Sequence, residues 1–218
     1  MNSSGPSIGQ KIMEMAKTQP DAVAVEWEGQ TYTRSDMLAA ASNLAAFFQQ
    51  KGIKPNQTVA VISADPLRGI EAMMALWAQG SPTLFLDPRQ PLNDICVSLT
   101  RAEIDVAFSD IKSLTRSDLV RSLPNRNSCL GSVQPLDFSN VPSDRDALVL
   151  STSGTTNLPQ FRRVTHKAFL DGVASSELIL NQPTPLPAVI VGSLAFGAIL
   201  MHWIRMLIHG KFVLALPL

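Results

Sequence analysis

Cysteine is scarce in this chain of 218 residues: only Cys96 and Cys129 occur, at no metal-ligand spacing. Reduced thiols in a cytoplasmic protein are the expectation. Charge is also scarce. Charged residues make up 17% of the chain, and 18 basic residues balance 18 acidic ones. That leaves no field of one sign to attract nucleic acid or an anionic membrane surface. No signal-peptide pattern opens the chain, since its first twenty residues are polar and amphipathic. Internal repeats and low-complexity tracts are lacking too. What the chain does have is 45% hydrophobic residues, enough for one large domain or two small ones with a sizeable core.

One apolar run approaches the length of a bilayer span, residues 188–204, broken mainly by Ser193 and His202. It contains Gly192 and Gly197, and Arg205, His209 and Lys211 follow at once. A buried strand over 188–191 and a buried helix over 196–208 account for it without a membrane. His202 and His209 are seven apart and share a helix face, but no third ligand joins them, so a metal site is not expected there.

The rest of the chain alternates strands and helices. Residues 13–20 read as the end of a helix that carries Ile8, Ile12 and Met15 on one face. Residues 22–27 and 30–33 flank a Glu28-Gly29 turn and predict a hairpin. Thr33 and Asp36 form a capping box, and the helix they open carries Met37, Ala41, Leu44, Ala45 and Phe48 before Gly52 closes it. Strands over 58–62, 82–86 and 105–109 alternate with helices over 68–79 and 92–101. Residues 123–146 are rich in Pro, Asn, Ser and Asp and predict a long connecting loop, with a short strand near Val133. A helix over 167–178 and a last strand over 212–216 complete an α/β chain with mostly parallel sheets flanked by helices.

Residues 147–150 are apolar and lead directly into Ser-Thr-Ser-Gly-Thr-Thr-Asn-Leu-Pro-Gln, residues 151–160. Glycine permits a tight turn there, and hydroxyls and free backbone N–H groups can converge on an anion such as phosphate. The spacing is not that of a Walker loop. The stretch resembles the signature loop of the adenylate-forming enzymes: acyl-CoA ligases, aryl-acid ligases, luciferases and nonribosomal peptide adenylation domains. That loop reads Thr-Ser-Gly-Thr-Thr-Gly-x-Pro-Lys-Gly, followed by Thr-His, and Thr152 to Thr156, Pro159, Thr165 and His166 fall in register with it. Two upstream stretches share the likeness. Residues 30–52 resemble the family's opening Leu-Thr-Tyr-x-Glu-Leu helix, and residues 78–88 resemble Gly-Ala-x-Tyr-Val-Pro-Leu-Asp-Pro.

The resemblance implies attack of a carboxylate on the α-phosphate of ATP, release of pyrophosphate, and transfer of the acyl group to a thiol of coenzyme A or a carrier protein. It implies that Thr152, Ser153, Gly154, Thr155, Thr156 and Asn157 hold phosphate, with Mg²⁺ accompanying the nucleotide. It further implies that residues 1–218 are the N-terminal part of the large domain of such a ligase, with C-terminal subdomains lying beyond and the fragment alone not competent. An apolar surface left uncovered would bring dimerisation or another chain.

Departures from the family pattern qualify this carry-over. Gln160 stands where the family has lysine, Phe161 where it has glycine, and Asn157 where the loop has glycine. Asn tolerates a left-handed backbone, so the last change is mild. If the chain beyond Pro159 is extended, Arg162 shares a face with Gln160 and would restore the missing charge; alternatively Arg162 and Arg163 are solvated strand-end charges. His166 is read as a capping or packing residue ahead of a catalytic one, with Thr165 as N-cap. Phe196-Gly197 falls near the acyl-pocket motif. Amino-acid-activating members carry Phe-Asp there, the aspartate pairing with the substrate's ammonium. Gly197 cannot do this, which disfavours an α-amino acid substrate, unless Gly197 serves only helix packing. A non-catalytic binding or scaffold module built on the same fold is the alternative function.

Overall fold

Reciprocal caps set the first two helices. In helix α1 (Ile8–Thr18), Ser7 accepts from the Gln10 N–H, and the Ser7 N–H donates to the Gln10 side chain. Thr33 and Asp36 make the same exchange at the start of α2 (Arg34–Gln50), as their spacing predicts. The computed structural model describes residues 5–126, 133–152, 159–180 and 187–217. Between α1 and α2 lies the hairpin of β1 (Val23–Trp27) and β2 (Gln30–Thr33), with Glu28 and Gly29 at positive φ in its turn.

The chain then runs through β3 (Val59–Ile62), α3 (Pro66–Ala78), β4 (Thr83–Phe85), α4 (Leu92–Arg101), β5 (Ala107–Ser109) and β6 (Val120–Ser122). It continues through β7 (Asp146–Thr152), β8 (Gln160–Thr165), α5 (His166–Leu180), β9 (Ala188–Val191), α6 (Gly197–Ile208) and β10 (Val213–Leu216). Two sheets result. One has the order β2-β1-β10-β9, the other β6-β5-β3-β4-β7-β8. Every pairing is parallel except β1 with β2 and β7 with β8. The sequence understates the structure at β6 and the 3₁₀ turn Leu114–Arg116, which are too short to announce themselves. It overstates it near Val133, where the expected strand does not form among the described residues.

The larger core lies between the sheets. It joins Val25, Trp27, Ile190 and Val213 of one to Val61, Phe85 and Leu148 of the other through buried residues of α2, α3 and α6. Helix α3 is buried from Leu67 to Trp77, which is why its apolar residues form no single stripe. The smaller core packs α4 residues Ile95 and Leu99 against the other face of the six-stranded sheet, at Ala60, Ile62, Leu84 and Val149. No described helix is long and apolar enough to cross a membrane.

One hydrogen bond ties α3 directly to β7. Trp77, fully buried, donates from Nε1 to the carbonyl oxygen of Ala147 at 2.7 Å. A Trp77→Phe variant keeps most of the apolar volume and strands that carbonyl. The expected loss is about 1–3 kcal/mol, read as a lower urea midpoint at unchanged slope.

Candidate functional site

The ends of β7 and β8 are set by pairing register. Asp146 faces Thr165, Leu148 faces Val164, Leu150 faces Arg162 and Thr152 faces Gln160. Because side chains alternate along a strand, Leu148, Leu150, Thr152, Gln160, Arg162 and Val164 share one face of this hairpin. It is the face turned to the core between the sheets, since Leu148 belongs to that core and Leu150 and Val164 pack on it. Leu148, Leu150 and Val164 therefore form an apolar floor on the face that also carries Thr152, Gln160 and Arg162. Thr152 lies at the carboxyl end of a parallel strand, where open α/β sheets bind ligands.

Of the residues the sequence nominates for phosphate, Thr152, Gln160 and Arg162 are described and share this face, all three exposed at the mouth of the hairpin. Ser153, Gly154, Thr155, Thr156 and Asn157 lie outside the described residues. Arg162 has no hydrogen-bond or ion-pair partner among the described residues. Its neighbour Arg163 bonds Thr58 at 3.2 Å and Asp146 at 3.3 Å. Phe161 points the other way and packs against the smaller core, so the bulk that replaces a glycine there is used in packing. The donor set suits an anion. Among the described residues no group of three His, Cys, Asp or Glu side chains gathers to hold a metal ion, so Mg²⁺ fits this face only as a companion of bound phosphates.

His166 follows the hairpin as the first residue of α5, capped by the Thr165 hydroxyl, which accepts from the Ala168 N–H at 3.0 Å. Its ring is 1% exposed and stands edge-on to Trp77 at 5.3 Å, and Nδ1 accepts from the Ile8 N–H at 3.4 Å. Burial, aided by the charge of Arg145, pushes its pKa down to about 4. This is a neutral packing histidine that joins α1, α3 and α5. His209, at the end of α6, meets Glu177 at 2.6 Å instead of pairing with His202.

Phe196 and Gly197 sit at the entrance of α6, beyond the carboxyl end of β9 in the other sheet. Phe196 is 54% exposed. A Cβ built on Gly197 meets no described atom within 4 Å, so close helix packing does not explain this glycine. Among the described residues, no hydrogen bond joins this pair to Thr152, Gln160 or Arg162.

Sequence reasoning misses a polar cluster at the carboxyl ends of β3 and β5. These strands are neighbours although a helix, β4 and another helix separate them in the chain, which makes the gap between them the point where strand order reverses. Asp110 fills that gap. Its carboxylate accepts from the Ser63 hydroxyl and from the N–H groups of Ala64 (3.1 Å) and Asp65 (3.4 Å). Beside it Glu71, 1% exposed, binds Arg68 and Arg126, each at 3.0 Å. Arg126 also pairs with Asp65 at 3.3 Å and stacks over the Tyr32 ring at 4.7 Å. The Arg68/Glu71 spacing of three was a readable signal; Arg126, in an irregular stretch, offered none.

Two sheets sharing one helical core, with a hydroxyl-rich sequence following β7, fit an adenylate-forming ligase architecture. The family described as "AMP-binding enzyme" matches residues 12–217, and the chain belongs to that family. Gramicidin S synthase 2 of Brevibacillus brevis is 25% identical over 174 residues, covering 76% of this chain and 4% of that protein. The nonribosomal peptide synthetase imqB of Aspergillus flavus is 29% identical over 192 residues, 81% of this chain and 6% of the relative. This chain thus spans a small part of the length of these curated relatives. In fold it matches o-succinylbenzoate CoA synthetase (MenE) of Bacillus subtilis in complex with its acyl-adenylate intermediate, at a TM-score of 0.81 and 19% identity. That match covers 95% of this chain and 55% of the other. It also matches the Klebsiella oxytoca NpsA N-terminal subdomain in complex with 3-hydroxyanthranilyl-AMSN, at a TM-score of 0.79 and 20% identity. Here 98% of this chain and 54% of the other are covered.

Proposed function

We propose that this chain is the N-terminal part of an ATP-dependent ligase that activates a carboxylic acid as an acyl-adenylate and passes it to a thiol. The carboxylate oxygen attacks the α-phosphorus, the bond to the bridging oxygen breaks, and pyrophosphate leaves with the electron pair. The thiol sulfur then attacks the acyl carbon and AMP leaves. The observation that carries the reading is the family match across residues 12–217. The residues of this chain assigned to phosphate are Thr152 to Asn157 with Gln160 and Arg162; their task is to neutralise and orient charge, which such chemistry needs more than a protein nucleophile. A CoA synthetase and peptide synthetases among the similar proteins support coenzyme A or a carrier protein as acceptor, and a cytoplasmic setting suits both.

The acid is assigned as a fatty, aryl or other simple carboxylic acid. Gly197 offers no carboxylate for an ammonium group, and a Cβ at that position would meet no described atom. The exposed apolar side chains Val189, Val191 and Leu216 lie on one face of β9 and β10, and we assign that face to cover by further polypeptide or a second copy.

The test is exchange of radiolabelled pyrophosphate into ATP by the polypeptide at its native length, over a panel of acids. Exchange driven by a simple carboxylic acid at least about tenfold above any α-amino acid is expected. Exchange only with amino acids would overturn the substrate assignment. Gln160, an uncharged residue at the lysine position, favours the second reading, a binding module without turnover; nucleotide binding with no exchange for any acid would establish it.

A further inference from the structure

We infer that Gly69 of α3 is a positioning residue for the acid: the notch left by its missing side chain seats Leu194, and Leu194 fixes the loop that carries Phe196 and Gly197. This rests on the ligase reading and on the assignment of that loop to the acid, and deepens both. A Cβ built on Gly69 would lie 2.6 Å from Cδ1 of Leu194, 3.3 Å from Cε1 of Phe85 and 3.7 Å from Cβ of Ser63. Carbon atoms in contact prefer about 3.5–4.0 Å, so the Leu194 methyl occupies the volume that any other residue at position 69 would claim. Leu194 is 5% exposed and belongs to the larger core. The gap beside this seat, lined by Trp27, Ser63, Pro66, Ser193 and Leu216, is about 10 Å³ and leaves little room to take up an added methyl.

Residues 192–196 leave β9 of the four-stranded sheet and enter α6, whereas Phe85 lies in β4 and Ser63 just after β3, both in the six-stranded sheet. Leu194 therefore crosses between the sheets. Among the described residues the loop's hydrogen bonds do not make that crossing. The Ala195 N–H donates to the Ser193 hydroxyl at 3.2 Å, and the Phe196 N–H donates to the Ser193 carbonyl at 3.1 Å. At the start of the loop Gly192 lies against Ile199 of α6, since a Cβ built there would be 2.9 Å from Cδ1 of Ile199. The loop and the first turn of α6 are thus packed as one body, and one side chain in one notch sets where that body stands. The six-stranded sheet carries Thr152 and the other residues proposed for phosphate. Attack of the acid on the α-phosphorus needs the two reactants aligned, and the Gly69–Leu194 contact holds the acid's loop to the nucleotide's sheet.

The test is pyrophosphate exchange by the polypeptide at its native length, at varied acid and varied ATP, with benzoate, hexanoate and further simple acids as probes. Gly69→Ala should raise the acid KM about tenfold and leave the ATP KM within about twofold of wild type. Alanine for glycine ordinarily favours a helix. Gly172→Ala in α5, where a Cβ meets no described atom within 4 Å, is the matched control and should leave both KM values unchanged. Leu194→Ala empties the notch without a clash and should also raise the acid KM. Joined to Gly69→Ala, it lets the new methyl fill the emptied notch, so the double variant should lie closer to wild type than either single one. Amide hydrogen exchange at Ala195 and Phe196 should quicken about tenfold in both single variants. An unchanged acid KM in Gly69→Ala and Leu194→Ala, whatever their melting temperatures, would reduce the contact to core packing and overturn the inference. An equal rise in the ATP KM, or additive effects in the double variant, would count against it in the same way. A wild type that exchanges with no acid would sink the ligase reading and this role together, an outcome distinct from an active wild type with indifferent variants.

Discussion

Acidification from about pH 6.5 to about 4 is expected to remove roughly 3 kcal/mol of stability through His166 alone. The folded protein holds this imidazole neutral, well below its ordinary pKa, because it is buried and lies near Arg145. The folded state therefore binds fewer protons than the unfolded chain across that window. His166's contribution is fully present above about 6.5 and is lost as the pH falls through about 4. Protonation would also turn Nδ1 from an acceptor into a donor that faces the Ile8 N–H. Urea unfolding at several pH values checks this. The midpoint of wild type should fall more steeply between these limits than that of His166→Gln, whose side chain does not titrate. Parallel pH slopes in the two proteins would refute it.

The second large effect lies at Glu71. Replacing it with alanine leaves Arg68, 4% exposed, without its carboxylate and takes from Arg126 its buried partner. An uncompensated buried charge costs about 3–5 kcal/mol, which for a chain of this size is a fall of roughly 10 °C in Tm. Burial pushes the Glu71 carboxyl up despite both arginines, so the ionised pair is held against a desolvation cost. Replacing Arg68 and Glu71 together with methionine and leucine should accordingly cost less than Glu71→Ala alone. Thermal melts of the three proteins decide it. A Glu71→Ala loss below about 1 kcal/mol would show that the network is slack.

The parts of this fold that could be read from sequence are those written in local chemistry. Thr33 and Asp36 announce the start of α2, Gly52 and Gly80 stand at positive φ after α2 and α3, and the apolar runs of β3 and β9 fix where strands fall. The division into two sheets could not be read this way, because β1 finds its neighbour β10 almost at the other end of the chain. Short β6 was lost inside a polar stretch for lack of enough residues to show a period. At the site, the residue types at Thr152, Gln160 and Arg162 were legible, but their common face depended on the chain beyond Pro159 being a strand, which only the pairing with β7 establishes. The Asp65, Glu71 and Arg126 cluster was illegible because its members meet across 61 and 55 positions of sequence separation.

Asp110 has a consequence for stoichiometry. In an open α/β sheet the gap where strand order reverses is a ready seat for a ligand's negative charge. Here that seat is taken by the chain's own carboxylate, which accepts from Ser63, Ala64 and Asp65. The protein folds with this generic anion position already saturated, so if the proposed nucleotide site binds, a titration should show no weaker second phase from the β3–β5 gap.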